Sequence, residues 1–174
     1  MVSSSRVFRS PIIWIAVTAL AVGFGVALVA FQPWKLFTDT TVDDAAPTVI
    51  SSPGGDPVVP PLPTSRGEFV SHEHHTVGAV VVLRLADGSS VLRLEELDTS
   101  DGPDVHVWLT DQPVTDSWTN LDDGEHVDLG KMKGNKGNQN YPVPGDVDMT
   151  RFGTVSLWCE RFHVSFGAAA LRPI

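Results

Sequence analysis

Hydrophobic and polar positions divide the chain into three stretches of different character. From Pro11 to Phe31 no charged residue occurs, and Ile, Val, Leu and Ala dominate. At about 1.5 Å per helical residue this run covers about 30 Å, the thickness of a bilayer's hydrocarbon core. It predicts one transmembrane helix over residues 11–31. Periodicity then disappears. From Thr38 to Arg66 the chain turns to Thr, Ser, Asp, Gly and Pro, with prolines at 47, 53, 57, 60, 61 and 63. Such a composition builds no core, so residues 32–66 read as a semi-extended linker.

Beyond Gly67 the signals are those of strands. Val77 to Ala86 is β-branched and apolar, and Asp87-Gly88 turns it back into Ser90–Leu97 as a hairpin. Gly102-Pro103-Asp104 is a turn, after which Val105, Val107 and Leu109 alternate with His106 and Trp108. Glu125–Leu129, Gly153–Arg161 and Phe162–Leu171 are further strand candidates, and Lys131–Gly145 reads as a Gly-, Asn- and Pro-rich loop. No ten-residue stretch carries a helical period. Residues 67–174 therefore predict an all-β domain, an antiparallel β-sandwich or flattened barrel. Alternation breaks at Leu94-Glu95-Glu96-Leu97 and around Cys159, which places expected bulges there.

Charge fixes the expected orientation. Arg6 and Arg9 precede the apolar run and only Lys35 closely follows it. The positive-inside rule then leaves residues 1–10 in the cytoplasm and sends the C-terminal domain to the extracytoplasmic face of the cell membrane, as a single-pass protein. Trp14 and Trp34 suit the two interfaces. A cleaved signal peptide is the rival, with a weak site at Gly25-Val26-Ala27, but its apolar core is usually only about 7–15 residues long. Both readings export the domain. Net charge is −9, and seventeen of the 21 acidic residues follow Thr64. That balance excludes a nucleic-acid backbone as partner, which needs concentrated Lys and Arg.

Export makes the single cysteine the most informative residue. Exported domains use cysteines in pairs, and Cys159 has no intramolecular mate. It is a buried small hydrophobe, an intermolecular crosslink, or a group with redox or ligand chemistry. On a regular strand Arg161 and His163 share its face, so a cation and an imidazole would flank the thiol. A blue-copper site takes one Cys and two His on a β-sandwich. Cys159 and His163 have suitable spacing, and His75 or His106 is the candidate second imidazole, but no Met follows His163 and Met149 precedes the cysteine. A haem would use the Cys159 thiolate or a histidine as axial ligand. The cluster His72-Glu73-His74-His75 looks chelating but also suits an exposed strand entry. Lys131–Asn138 could converge backbone N–H groups on an anion or be a solvated loop, and it fits no Walker motif. Glu95, Glu96, Asp98, Asp101 and Asp104 crowd one turn without calcium-loop spacing, and no Gly-x-Ser-x-Gly elbow occurs. Nothing here commits the chain to being an enzyme.

Five stretches in order carry a resemblance. They are His75-Thr76-Val77-Gly78; Asp87-Gly88 with Leu92-Arg93-Leu94-Glu95; Gly102-Pro103-Asp104-Val105-His106-Val107-Trp108-Leu109; Leu129-Gly130-Lys131-Met132-Lys133-Gly134-Asn135 with Gln139-Asn140-Tyr141; and Trp158 through Gly167. Over about Gly67 to Leu171 the chain resembles the electron-transfer DM-thirteen domain, found beside DOMON domains in animal cell-surface proteins and in bacterial exported proteins. The resemblance implies an all-β extracytoplasmic domain with a redox role centred on the cysteine matching Cys159. That residue would act as a bare thiol or as ligand of a prosthetic group such as haem. His75 has a family counterpart. Cys159, His75 and His163 are thus the candidate cofactor-binding set, haem or copper the candidate cofactors, and an unidentified redox or surface protein the expected partner. The alternative is a non-catalytic surface-binding module in which Cys159 is structural.

Overall fold

The structure, a computed structural model, describes residues 10–47 and 60–174. The expected cytoplasmic segment 1–10 lies almost wholly outside the described residues, as does the middle of the expected linker. The chain divides into two units, Met1–Trp34 and Lys35–Ile174. In the first, helix α1 covers Pro11–Phe31 and buries none of its residues. Pro11 opens it, where a missing N–H costs nothing, and Gln32 ends it in a left-handed conformation with its N–H bonded to Leu28 O at 2.9 Å. An apolar helix of this length with no buried face is long and apolar enough to cross a membrane.

The second unit is mostly β. Its strands are β1 (Thr41–Asp43), β2 (Leu62–Ser71), β3 (Val77–Arg84), β4 (Ser90–Asp98), β5 (Val105–Thr110), β6 (His126–Lys131), β7 (Lys136–Val143), β8 (Thr154–Cys159), β9 (Val164–Ala170) and β10 (Arg172–Pro173). The order across the sheet is β1-β7-β4-β3-β2-β9-β8-β5-β6, with β10 also paired to β2, on the edge away from β3. Every pairing is antiparallel except β1 with β7. The all-β expectation holds, in the form of one continuous curled sheet, a half-barrel.

The corner is made by β2. Its residues Leu62–Glu68 pair with β3, and Phe69–Ser71 pair with β9. A strand that changes partner midway bends the sheet and lets its two halves face each other. Gly67 sits at that change, where a Cβ would meet Ala170 O at 2.5 Å. The enclosed face holds Val80, Leu92, Leu94, Tyr141, Val105, Val107, Leu157, Cys159 and Phe166, drawn from both halves. A smaller cluster of Trp108, Leu121, Trp158 and Ala168 lies on the other face, beneath the segment joining β5 to β6. Alternation along β5 and β8 separates the two sets. Register shifts fall between Leu94 and Leu97 and between Leu157 and Trp158, where the sequence placed bulges.

Two expectations fail. Lys131–Gly145 is no loop, since it carries β7 between β4 and β1. The linker 32–66 contributes β1 and the first half of β2. One network explains both. Asn135, fully buried, donates to Thr99 O and Asp39 Oδ1 and accepts from Thr40 N–H, tying the expected tether to the start of β7. Gly134 and Gly137 lie so close to β1 that a Cβ on either would collide with the Thr40 or Val42 carbonyl. The glycines that resemble loop residues are the space in which β1 docks.

Candidate functional site

Strand register gathers one end of the half-barrel around Cys159. Val105 at the start of β5 and Val164 at the start of β9 are its cross-strand partners. The β2–β3 connection reaches the same end, for His72 N–H and His74 N–H both donate to Phe166 O. Cys159 is a free cysteine with no exposed surface, and its side chain belongs to the inner core. Neighbouring packing closes that core. A Cβ on Gly102 would meet Val105 Cγ2 at 2.6 Å and Phe166 at 2.8 Å.

Chain geometry beyond Cys159 differs from the expected strand. Residues 160–163 form a turn closed by His163 N–H donating to Cys159 O at 2.9 Å, and His163 adopts φ 52°. Spacing by twos applies only while a strand continues, so Cys159, Arg161 and His163 do not form one stripe. Arg161, Phe162 and His163 are exposed, whereas Cys159 is enclosed. His75 is also exposed, in the β2–β3 connection. His106 follows Val105 and therefore points away from the face that holds the sulfur.

This arrangement does not fit haem or blue copper. Either group needs an open ligand position at the sulfur with imidazoles converging on it. Here the sulfur faces packed apolar side chains, the two candidate imidazoles are on the surface, and none of the described cavities is lined by Cys159.

The remaining sequence candidates resolve differently. Within His72–His75, His72 hydrogen-bonds Ser165 Oγ at 3.0 Å and Thr115 O at 3.2 Å, and His74 packs against Phe166 with centroids 3.9 Å apart and the rings tilted by 45°. Burial lowers the pKa of both rings and favours their neutral forms. With both His72 nitrogens hydrogen-bonded and the His74 ring packed on Phe166, the run serves packing at this end of the sheet. The lysines of the expected anion loop are engaged by carboxylates: Lys131 with Asp104 at 2.6 Å, Lys133 with Asp44 at 2.6 Å, Lys136 with Asp39 at 3.2 Å. Those bonds hold Asp44 and Asp104 below the usual carboxylate range. The lysines of this segment make structural ion pairs.

The family model described as "Electron transfer DM13" matches residues 68–171, over half of the chain, and takes in strands β3 to β9 with the end of β2. The chain belongs to this family. No curated protein and no solved structure matches it. Membership in the DM13 family supports a redox role and brings with it an unspecified redox partner, while leaving the part played by Cys159 to chemistry. A DM13 domain whose sulfur lies inside the core can use it as a thiol only by opening locally.

Proposed function

We propose that this DM13 domain is a membrane-anchored, extracytoplasmic redox module whose reactive group is Cys159, closed in the native sheet and uncovered when the β8–β9 turn opens. The family match carries the redox role. The position of the sulfur supports the gating. Cys159 is the last residue of β8, next to a bulge and to a turn that places a non-glycine residue in the left-handed region. Hairpin ends of this kind sit at the low-stability end of local opening. Residues 1–10 on the cytoplasmic side and the domain 67–174 outside follow from the positive-inside rule.

In the open form Cys159 Sγ, as thiolate, attacks one sulfur of a disulfide on a surface protein. A new S–S bond forms, the partner's S–S bond breaks, and the departing sulfur leaves as a thiolate that takes up the proton lost by Cys159. Once the turn 160–163 opens, its Arg161 would stabilise the thiolate, and its His163 would receive and return the proton. The test is alkylation of the full chain in vesicles by a membrane-impermeant maleimide. Slow labelling, with an opening free energy well below that of global unfolding, supports the reading. Labelling only at the rate of global unfolding sinks it.

One observation favours a second reading. Cys159 is as enclosed as Leu157 and Val155 beside it, which suits a binding module with the cysteine as core filler. Cys159→Ser would then lower stability and leave binding intact.

A further inference from the structure

On the face of β5 and β6 opposite the sulfur, we propose a binding site for a divalent cation of the borderline class, Zn²⁺ or Cu²⁺, formed by His106, Asp128 and Glu160. One ligand atom from each residue lies within 4.8 Å of the others, a separation that a single ion can bridge. The three come from β5, β6 and the turn after β8, so the folded sheet, not a local sequence motif, assembles them.

Imidazole and carboxylates make a mixed nitrogen and oxygen donor set, which suits zinc or copper better than calcium, whose sites are all oxygen. The imidazole is sheltered, with its side chain 14% exposed. Its two nitrogens face two carboxylates, Nδ1 to Asp128 Oδ2 at 2.8 Å and Nε2 to Asp104 Oδ1 at 3.4 Å. A neutral imidazole has one N–H, so its other nitrogen turns a lone pair toward an anion unless a positive charge lies between them. Lys131 neutralises Asp104 at 2.6 Å. That leaves Asp128 and Glu160 as two negative charges around one imidazole, the balance that a doubly charged ion completes. Asp128 is already aimed, because its other oxygen accepts from Gly130 N–H at 2.8 Å. Outer contacts of that kind orient metal ligands. The site does not rest on Cys159 and stands or falls apart from the thiol proposal.

The full chain in detergent, stripped with chelator, would be titrated calorimetrically with ZnCl₂, CuCl₂ and CaCl₂. Tryptophan fluorescence would be followed during the copper titration, since Trp158 is the cross-strand partner of His106. One equivalent of Zn²⁺ or Cu²⁺ should bind, Cu²⁺ should quench emission, and Ca²⁺ should bind far more weakly. His106→Gln and Glu160→Gln should each weaken binding by about tenfold or more, while His75→Gln and His163→Gln leave it unchanged. Circular dichroism confirms folding of each variant. Binding that survives both His106→Gln and Glu160→Gln, or that is abolished by His75→Gln, overturns the assignment.

Discussion

Replacing Cys159 by Ser and by Ala separates a dry sulfur from a primed one. The side chain has no exposed surface and packs in the main core. In Cys159→Ala the loss is that of one methylene-sized group, about 0.8 kcal/mol. A residual cavity of roughly 20 Å³ adds about 0.5 kcal/mol. Cys159→Ser keeps most of the volume but puts a hydroxyl among Val105, Val107 and Phe166, and an unbonded buried hydroxyl costs about 1–3 kcal/mol on top of the lost transfer energy. Serine should therefore be the worse replacement by about 0.5–2.5 kcal/mol, and about 1 kcal/mol is a fair working value. For a unit of this size that is about 3–5 °C in Tm. Urea melts of the full chain in detergent, followed by far-UV circular dichroism, give the ordering from midpoints at a common slope. If serine proves as stable as alanine, the sulfur has a polar partner, and the closed-core description is wrong.

Tyr141 is the only tyrosine, so its ionisation is directly visible by ultraviolet absorbance. Burial pushes its pKa up to about 12. The unfolded chain ionises near 10, so this contribution is full below pH 10 and is lost as pH rises toward 12; a tyrosine absorbance midpoint near 10 in the folded protein would contradict it. For His72 and His74 the sign reverses. Burial lowers both, so the unfolded state takes up protons first as pH falls below about 6.5, and Tm should drop from pH 7.5 to 5.5, less so in His72→Gln/His74→Gln. Gly137→Ala forces a left-handed backbone, φ 94°, on a residue whose Cβ also meets the Val42 carbonyl. Release of β1 should make Thr38–Pro47 sensitive to protease while the rest of the sheet survives, whereas unchanged cleavage would mean the segment docks without that gap.

Strands whose residues alternate or whose turns carry Gly after Asp were legible: Leu85–Ser89 closes the β3–β4 hairpin around Gly88 at φ 85°. β7 was not, because Gly137 and Asn138 are poor strand formers, and that segment is held in the sheet by its ladder to β4 and by the buried network of Asn135 and Gln139. Nor was β1, which is three residues long and pairs with a strand about 95 positions away. The site was legible as residue types but not as geometry. Spacing by twos from Cys159 assumed that β8 continues, and the turn at 160–163 overrides it. His106 was legible as a candidate ligand, yet its companions Asp128 and Glu160 become visible only once β5, β6 and β8 are adjacent.

The thiol and the cation cluster lie on opposite faces of the same strand end, and Glu160 joins them. Its N–H donates to Asp104 O at 3.0 Å, so it stands at the entrance of the turn whose opening would uncover Cys159. If opening carries Glu160 away from His106 and Asp128, a bound ion must leave or be held by fewer ligands. Binding only to the closed form stabilises it by RT ln(1 + [L]/Kd), so Zn²⁺ at 100 times its Kd should slow alkylation of Cys159 by about 100-fold. Direct coordination of zinc by the freed thiol would also slow labelling, and His106→Gln separates the two effects, since it removes the cluster and keeps the thiol. Wild-type protein slowed by zinc and the variant much less so is the expected pair of results. Equal slowing in both would show that zinc acts at the sulfur and that the turn opens without disturbing the cluster. Thiol access and cation binding would then be independent properties of one strand end.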